Sequence, residues 1–585
     1  MPKYFSQTKI FLLILYIFPL ALLLWFIANF SVNVPYWDQW RLTPMFARVA
    51  MGNASFSDFF SVHGHHRILV PKLIITALAF ASKWNTQYEI ICSVIFVIIT
   101  FFASYKIASR MFHATSLQNG SKKNLHIANI LTCMSLFSLV QHQNWLWGFT
   151  IFWFLTNLCL IMAVYFIHAL DNLSARTRIF MAAISCFIGS FTLAQGLFSW
   201  LVLIPSILSI EGKAKQKINR VIVWILLFII SCVIYAISYN PIREPKPFLF
   251  KEEPFLVINY FLAVLGLPLV RIPIPAILMG LILLSGFLFF IFYFLKKPLY
   301  KLTFLPEAIP WLTIGAFSLI SALSISVGRA EYGIENAMIS SRYTTTSILL
   351  IISLVYLLAL FLEKKQKYLS IYKILAVVMT VITLVNSVYV IAKIKSSFPY
   401  MQSRKECLEI INYLANSEFI KESQDSCLVL MNGKTGLVRE GAEIMAKLGW
   451  REFPQNLAFI KQPKLNYGYL DHPQVTQQPI IINRDEIVSL GGWAIRPDRK
   501  KQPHLVLLSY GQNQSFFANA IVNLESNDIA KILNSKRYNR ARWNVKFSAQ
   551  SLPVGETVIN AWVYNSDKQE FGKLNNEVQV RIEAP

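Results

Sequence analysis

Apolar runs of about 20 residues recur through the first two-thirds of the chain and stop near residue 395. Each is long enough to cross a ~30 Å hydrocarbon core as a helix. The pattern predicts about eleven spans, near 9–30, 87–108, 125–142, 149–169, 178–194, 197–210, 220–239, 275–295, 308–327, 344–362 and 371–393. Two further apolar stretches, 68–82 and 255–270, are shorter or flanked by proline and read as re-entrant or interfacial helices. Lys3 and Lys9 precede the first run and no small-residue cleavage site follows Phe30, so a retained helix is expected there. Beyond 395 the period changes. Helices are predicted over Cys407–Ala415 and Glu440–Leu448, with a strand over Ser426–Met431. From about 479 short alternating runs predict strands over Ile480–Asn483, Ile487–Ile495, His504–Tyr510, Ser515–Val522, Trp543–Phe547, Thr557–Tyr564 and Glu577–Ile582. Seven strands at this spacing predict a small β-sandwich. The expected organisation is a polytopic α-helical membrane domain over 1–395, a small extracytoplasmic α/β segment over 396–470 and a β-sandwich over 471–585.

The 585 residues are 55% hydrophobic and 15% charged, against about a quarter charged in soluble globular chains. That excludes a disordered, collagen-like or small disulfide-stapled protein and argues against a wholly soluble enzyme. The net charge of +24 invites a nucleic-acid partner until its distribution is examined. Residues 1–399 hold about 32 Lys and Arg against about 12 acids, whereas 400–585 hold about 23 against about 19. The excess lies in the apolar part, so the expected partner is a lipid bilayer and not nucleic acid. Basic clusters fall at Arg110/Lys122/Lys123, Arg176/Arg178, Lys213/Lys215/Lys217/Arg220, Lys296/Lys297/Lys301 and Lys364/Lys365/Lys367/Lys373. Eleven spans with a cytoplasmic N-terminus put all of them inside, as lysine and arginine retention requires. Counting 68–82 or 255–270 as crossings would move several outside. The C-terminal region then lies outside, where Cys407 and Cys427 are permitted to pair. The other five cysteines lie in apolar segments.

The same bookkeeping collects the polar motifs on the outer face: Trp37-Asp38-Gln39-Trp40, His63-Gly64-His65-His66-Arg67, Gln141-His142-Gln143-Asn144-Trp145, Ala194-Gln195-Gly196, Pro241-Ile242-Arg243-Glu244 and Gly328 to Tyr343. Asp38 stands out, because an ionisable group at the membrane surface is costly unless used. A carboxylate held there between tryptophans suits a base that deprotonates an acceptor hydroxyl; the bland alternative is pairing with Arg41. His65 and His66 beside Arg67 suit a cationic phosphate contact better than a metal site, since the spacing matches no standard zinc motif. Arg329 and Arg342 sit where the charge rule depletes arginine, and a guanidinium fork suits a lipid phosphate. Trp37, Trp40, Tyr343 and Trp493 are candidate acceptor or glycan contacts, although tryptophans of a sandwich more often fill its core. The amide-rich turns at Asn144–Phe149 and Ala194–Gly196 read as structural caps. No nucleotide-binding or Ser-His-Asp pattern is present, and the cytoplasmic loops are too short for a nucleotide-sugar site.

Together Trp37-Asp38-x-Trp40, His63-x-His65-His66-Arg67, Asn144-Trp145-Leu146-Trp147-Gly148-Phe149 and Ser341-Arg342-Tyr343 resemble a bacterial branch of the GT-C glycosyltransferases. The resemblance covers residues 10–345 in patches. It implies an integral enzyme of the bacterial inner membrane that takes a sugar from a polyprenyl-phosphate donor and gives it to a cell-surface glycan or lipid acceptor. It also implies Asp38 in the position of the base, and Arg329 or Arg342 at the donor phosphate. Many members carry paired acids in the first loop; Gln39 follows Asp38 here, which favours a metal-independent inverting mechanism without cofactors. A lipid-linked glycan ligase or polymerase, or a glycolipid translocase, are the alternative expectations. Paired repeats and mid-membrane polar residues, the marks of a transporter, are not seen.

Overall fold

The computed structural model describes residues 7–115, 120–240, 252–296, 303–364, 369–415, 427–472, 479–497, 503–511 and 514–584. The Pro241–Glu244 motif lies outside them. The chain divides into two compact units. One comprises Met1–Ser31, Ser55–Leu78 and Gln87–Ala392; the other comprises Val32–Ala54, Ala79–Thr86 and Lys393–Pro585.

The first unit is helical. Among the described residues of the chain, nine helices are long and apolar enough to cross a membrane, two fewer than the eleven runs predict. The difference lies in the fifth and sixth runs. Ala175–Ser190 has 16 residues, about 24 Å of helix. The next run, Ala194–Ser209, is broken into a short 3-10 turn and two helical turns. Because the two are consecutive, the sidedness of every later loop is the same whether both cross or both turn back. Leu69–Ser82 and Pro254–Gly266 have 14 and 13 residues, too short for a full crossing. The helices within Asn124–Leu146, Gly148–His168, Ile309–Tyr332 and Ser341–Glu363 are mostly covered by protein. Leu12–Phe30, Ala214–Ala236 and Pro273–Phe294 keep most of their leucine, isoleucine and phenylalanine side chains uncovered, as a lipid-facing layer requires.

The longest stretch of the second unit begins at Lys393, within the 41-residue helix Leu369–Glu409. Its β-rich part contains all seven strands that the alternation predicts, and three more at Ala458–Ile460, Gly468–His472 and Glu570–Lys573. A three-stranded sheet places Ile487–Ala494 between Gly468–His472 and Arg542–Ser548. The larger sheet is organised around Gly555–Asn565. That strand pairs antiparallel with Leu505–Tyr510 on one side, and with Val578–Ile582 and Glu570–Lys573 on the other. Both sheets contribute to one buried core, which includes Leu490, Trp543, Phe547, Val506, Leu508, Phe517 and Val563. Alternation of side chains across each strand supplies those residues. The expected strand at 426–431 is instead a 3-10 helix, Cys427–Leu430.

Cys407 and Cys427 are bonded, closing 20 residues of chain. A crosslink of that span is worth about 3 kcal/mol through the unfolded state. Cys427→Ala, or reductant, is therefore expected to lower the melting temperature of the second unit, read by thermal unfolding with and without dithiothreitol. An unchanged transition would show that the bond carries no stability.

Candidate functional site

In the helical unit, the segment from Arg329 to Tyr343 is a chain of short turns. The helix Ile309–Arg329 gives way to Ala330–Tyr332, Ile334–Ile339 and Ser341–Tyr343 before Thr344 starts the next long helix. Short turns leave backbone groups without partners, and neighbouring side chains supply them. Gln143 donates from its amide side chain to the Ile339 carbonyl at 3.1 Å and from its backbone to Ser341 Oγ at 2.9 Å. Asn144 Nδ2 donates to the Arg342 carbonyl at 3.1 Å and to Thr345 Oγ1 at 2.7 Å. Asn157 Nδ2 donates to the Thr345 carbonyl at 2.9 Å. Two motifs that are nearly 200 residues apart in sequence therefore form one structure, with the amides of the first fixing the backbone of the second.

Arg271, which the sequence reading passed over, completes this support. It donates to the carbonyls of Met338 and Val140 at 3.1 and 2.6 Å and to Thr344 Oγ1 at 2.9 Å. Burial pushes its guanidinium down to about 10, still charged at neutral pH. The signal was available, since the expected topology puts Arg271, just before the apolar run 275–295, on the same arginine-poor side as Arg329 and Arg342.

Arg342 is half-buried. Its Nη2 donates to the Tyr343 hydroxyl at 3.2 Å and its guanidinium lies 5.0 Å from that ring. Arg329, also half-buried, lies 5.9 Å from the Tyr332 ring. Both arginines act electrostatically on the Tyr260 phenol, and Arg329 acts on His66 as well. Arg329, Arg342, His66, Tyr260 and Tyr343 thus share one neighbourhood. Tyr260, whose hydroxyl is 3.3 Å from Asn336 Oδ1, is a second residue the sequence reading missed; nothing in its apolar helix distinguishes it.

His63 and His66 exchange backbone hydrogen bonds across a tight turn. The Tyr239 hydroxyl donates to the His65 carbonyl at 2.9 Å. Burial, then His65 and Arg329, push the His66 imidazole down to about 4, so it is neutral at pH 7 rather than a standing cation. Its Nδ1 is buried without a hydrogen-bond partner among the described residues. The sign of the stability effect follows. Between pH 6.5 and about 4 the unfolded chain binds a proton on this imidazole and the folded chain does not, so stability falls as pH drops through that window. His66→Gln is expected to flatten that part of the melting temperature against pH profile. An identical slope in the variant would assign the loss to other groups.

Arg67 is placed differently from the phosphate contact its motif predicts. It is 1% exposed. Nε and Nη1 donate to the carbonyls of Tyr235 and Phe60, both at 2.6 Å, and Nη2 donates to that of Ile237. Its guanidinium lies 4.1 Å from the Phe60 ring. Arg67 ties the histidine turn to the end of the helix Ala214–Ala236, and its fork is committed to backbone. The Ala194–Gly196 turn is structural too: a Cβ on Gly196 would lie 1.9 Å from the Gly189 carbonyl oxygen, so only glycine permits this approach.

Asp38 belongs to the second unit, in the 3-10 helix Trp37–Leu42. Its Oδ1 lies 3.3 Å from Arg41 Nε, and both side chains are about one-third exposed. Gln39 is buried and its Oε1 accepts from the Tyr36 amide at 2.9 Å, capping the turn rather than standing beside Asp38 as a second acid would. Trp37 is 47% exposed with φ +53, a left-handed backbone that side-chain-bearing residues rarely adopt. Trp40, Tyr343 and Trp493, the other expected glycan contacts, are buried and offer no ring face to a sugar. Trp40 packs edge-on against Trp84, Tyr343 against Trp153, and Trp493 with Ile495, Ile529, Tyr538 and Ala541. Among the described residues no group of three or more His, Cys, Asp or Glu side chains is arranged to hold a metal ion.

Comparison with known protein families, with curated proteins and with solved structures finds no match to this chain.

Proposed function

We propose that the chain is an inverting, GT-C-like membrane glycosyltransferase that moves a sugar from a polyprenyl-phosphate donor to a cell-surface glycan or lipid acceptor. In this reading it sits in the bacterial inner membrane with its N-terminus cytoplasmic and its β-rich region outside, and it crosses eleven times if the two short helical segments count as crossings. The observation that carries the proposal is the gathering of Arg329, Arg342 and a neutral His66 at the end of an apolar helical unit. Two fixed cations at the end of such a unit suit a phosphate attached to a hydrocarbon chain.

Asp38 takes the proton of the acceptor hydroxyl as its oxygen attacks the anomeric carbon. The bond from that carbon to the phosphate oxygen breaks, and polyprenyl phosphate leaves with the electron pair. The resemblance assigns the leaving phosphate to Arg329 and Arg342, and offsetting its growing charge is the interaction that usually contributes most to such a step. Trp37 offers the exposed ring beside the base. Arg67 is left out of the donor contacts; it holds the histidine turn.

Lipid mass spectrometry of the gently purified protein tests the donor assignment. Co-purified polyprenyl phosphate, or its glycosyl form, is the expected result. Phospholipid alone, together with no release of polyprenyl phosphate from a panel of polyprenyl-phosphate sugars, would overturn it. The Asp38–Arg41 pair favours one second reading, a glycan ligase that uses the same donors without an essential acid.

A further inference from the structure

The loop that carries Asp38 is gripped along its length by residues of its own unit from far down the chain. Arg404 stacks its guanidinium 3.7 Å from the Tyr36 ring. The Trp37 amide donates to the Met431 carbonyl at 2.7 Å, and the Trp37 carbonyl accepts from Asn432 Nδ2 at 2.9 Å. A Cβ on Gly441 would lie 2.5 Å from the Trp40 ring, so the helix Thr435–Lys447 meets that buried tryptophan only through glycine. Trp450 packs against Phe46 and Phe80, and Arg451 Nη2 donates to the Asn33 carbonyl at 3.0 Å.

These contacts converge on a backbone outlier. A tryptophan in the left-handed region is strained, and such strain persists only where the surroundings over-determine it. Here both polar groups of the Trp37 backbone are held from one place, Met431 and Asn432. Asn432 is itself fixed, since its Oδ1 accepts from the Lys434 amide at 2.7 Å. Immediately before it runs the turn Cys427–Leu430, anchored by the Cys407–Cys427 bond. The strained residue is the one next to the acid, and its indole is exposed where that of Trp40 is buried.

We propose that the segment from Cys427 to Arg451 is a positioning element for the first-loop acid, with Asn432 and the Met431 carbonyl clamping Trp37 so that Asp38 and the exposed indole face one carbohydrate acceptor. The inference rests on the glycosyltransferase reading. Asn432 acts through Trp37 and Asp38; it is a positioning residue. The remote segment supplies order that the six-residue turn Trp37–Leu42 does not supply for itself.

The test uses the full-length protein and two variants. Asn432→Asp keeps the volume and the contact to Lys434 but cannot donate to the Trp37 carbonyl; Asn432→Ala removes both. Turnover with polyprenyl-phosphate sugar is expected to fall about 10- to 100-fold in kcat, the effect of a small misplacement of a reacting group, with the donor KM within about twofold. Hydrogen exchange at residues 36–42 is expected to rise in both variants, at an unchanged melting temperature. On an Asp38→Asn background Asn432→Ala is expected to cost nothing further in the residual rate, because the two act as one unit; a general folding defect would add. If Asp38→Asn abolishes transfer while both Asn432 variants turn over normally with exchange unchanged, the clamp is wrong and the function stands. If Asp38→Asn itself transfers at the wild-type rate, the function falls, and this inference with it.

Discussion

Asp38→Asn is expected to lower sugar transfer by about 10²- to 10⁴-fold, the range that a positioned general base contributes. The substitution keeps shape and removes only the negative charge and the proton acceptor. It leaves the surroundings of the acid in place: Gln39 still caps the turn, and Trp37 still bonds to Met431 and Asn432. Arg41 is among the groups that lose a charged neighbour, its Nε being 3.3 Å from the carboxylate. An exposed ion pair of this kind is worth at most about 1 kcal/mol, so the variant is expected to fold and purify like the parent. The donor KM is expected to hold, because the arginines assigned to the phosphate belong to the other unit. A rate within twofold of wild type would remove the base from the mechanism and leave the ligase reading. The decisive assay is release of polyprenyl phosphate with the glycoside product identified, since loss of a cellular phenotype would not separate catalysis from assembly.

The sequence signals that located the fold were periodic ones. Alternation over four to nine residues located seven strands, and those it missed explain themselves: Ala458–Ile460 is three residues long, and Gly468–His472 and Glu570–Lys573 begin with glycine or an acid and carry further charge. The run Cys427–Met431 is equally apolar in a strand or a helical turn, and a period cannot separate the two over five residues. Apolar length alone reads 178–194 and 197–210 as spans, where the folded chain has the 16-residue helix Ala175–Ser190 and then a run broken into short turns, with Pro205 at the start of the last of them. Residue type drew attention to Arg329 and Arg342, arginines at positions where the expected topology has few. It failed for Arg67, because a guanidinium aimed at phosphate and one aimed at three carbonyls are written with the same letter. Pairings across hundreds of residues leave no local trace. Neither the docking of Gln143 and Asn144 on the turn at 341–345 nor the hold of Asn432 on Trp37 is visible before the chain is folded.

Arg342→Ala is expected to weaken binding of a polyprenyl phosphate about 10- to 100-fold, since a hydrogen bond to a charged group is worth about 1.5–3 kcal/mol. Its fold is expected to survive. The Arg342 backbone is held by Gln143 Oε1 and Asn144 Nδ2, and the side chain donates to the neighbouring Tyr343 hydroxyl. Arg342→Lys is expected to recover only part of the affinity, because a lysine supplies the charge without the planar fork. Arg271 provides the contrast. It is also an arginine beside this turn, yet its donors go to Met338, Val140 and Thr344. Arg271→Ala leaves three acceptors unpaired in a buried place and is expected to lower the melting temperature by several degrees. Any loss of lipid binding should then track the loss of folded protein. If Arg342→Ala behaves like Arg271→Ala, losing stability and lipid together, Arg342 is a structural residue and the donor phosphate must be sought elsewhere. If it loses lipid at constant stability, the two arginines separate by role as their partners separate them by geometry, and the amides of Gln143 and Asn144 acquire a purpose: they hold rigid the turn from which the phosphate is gripped.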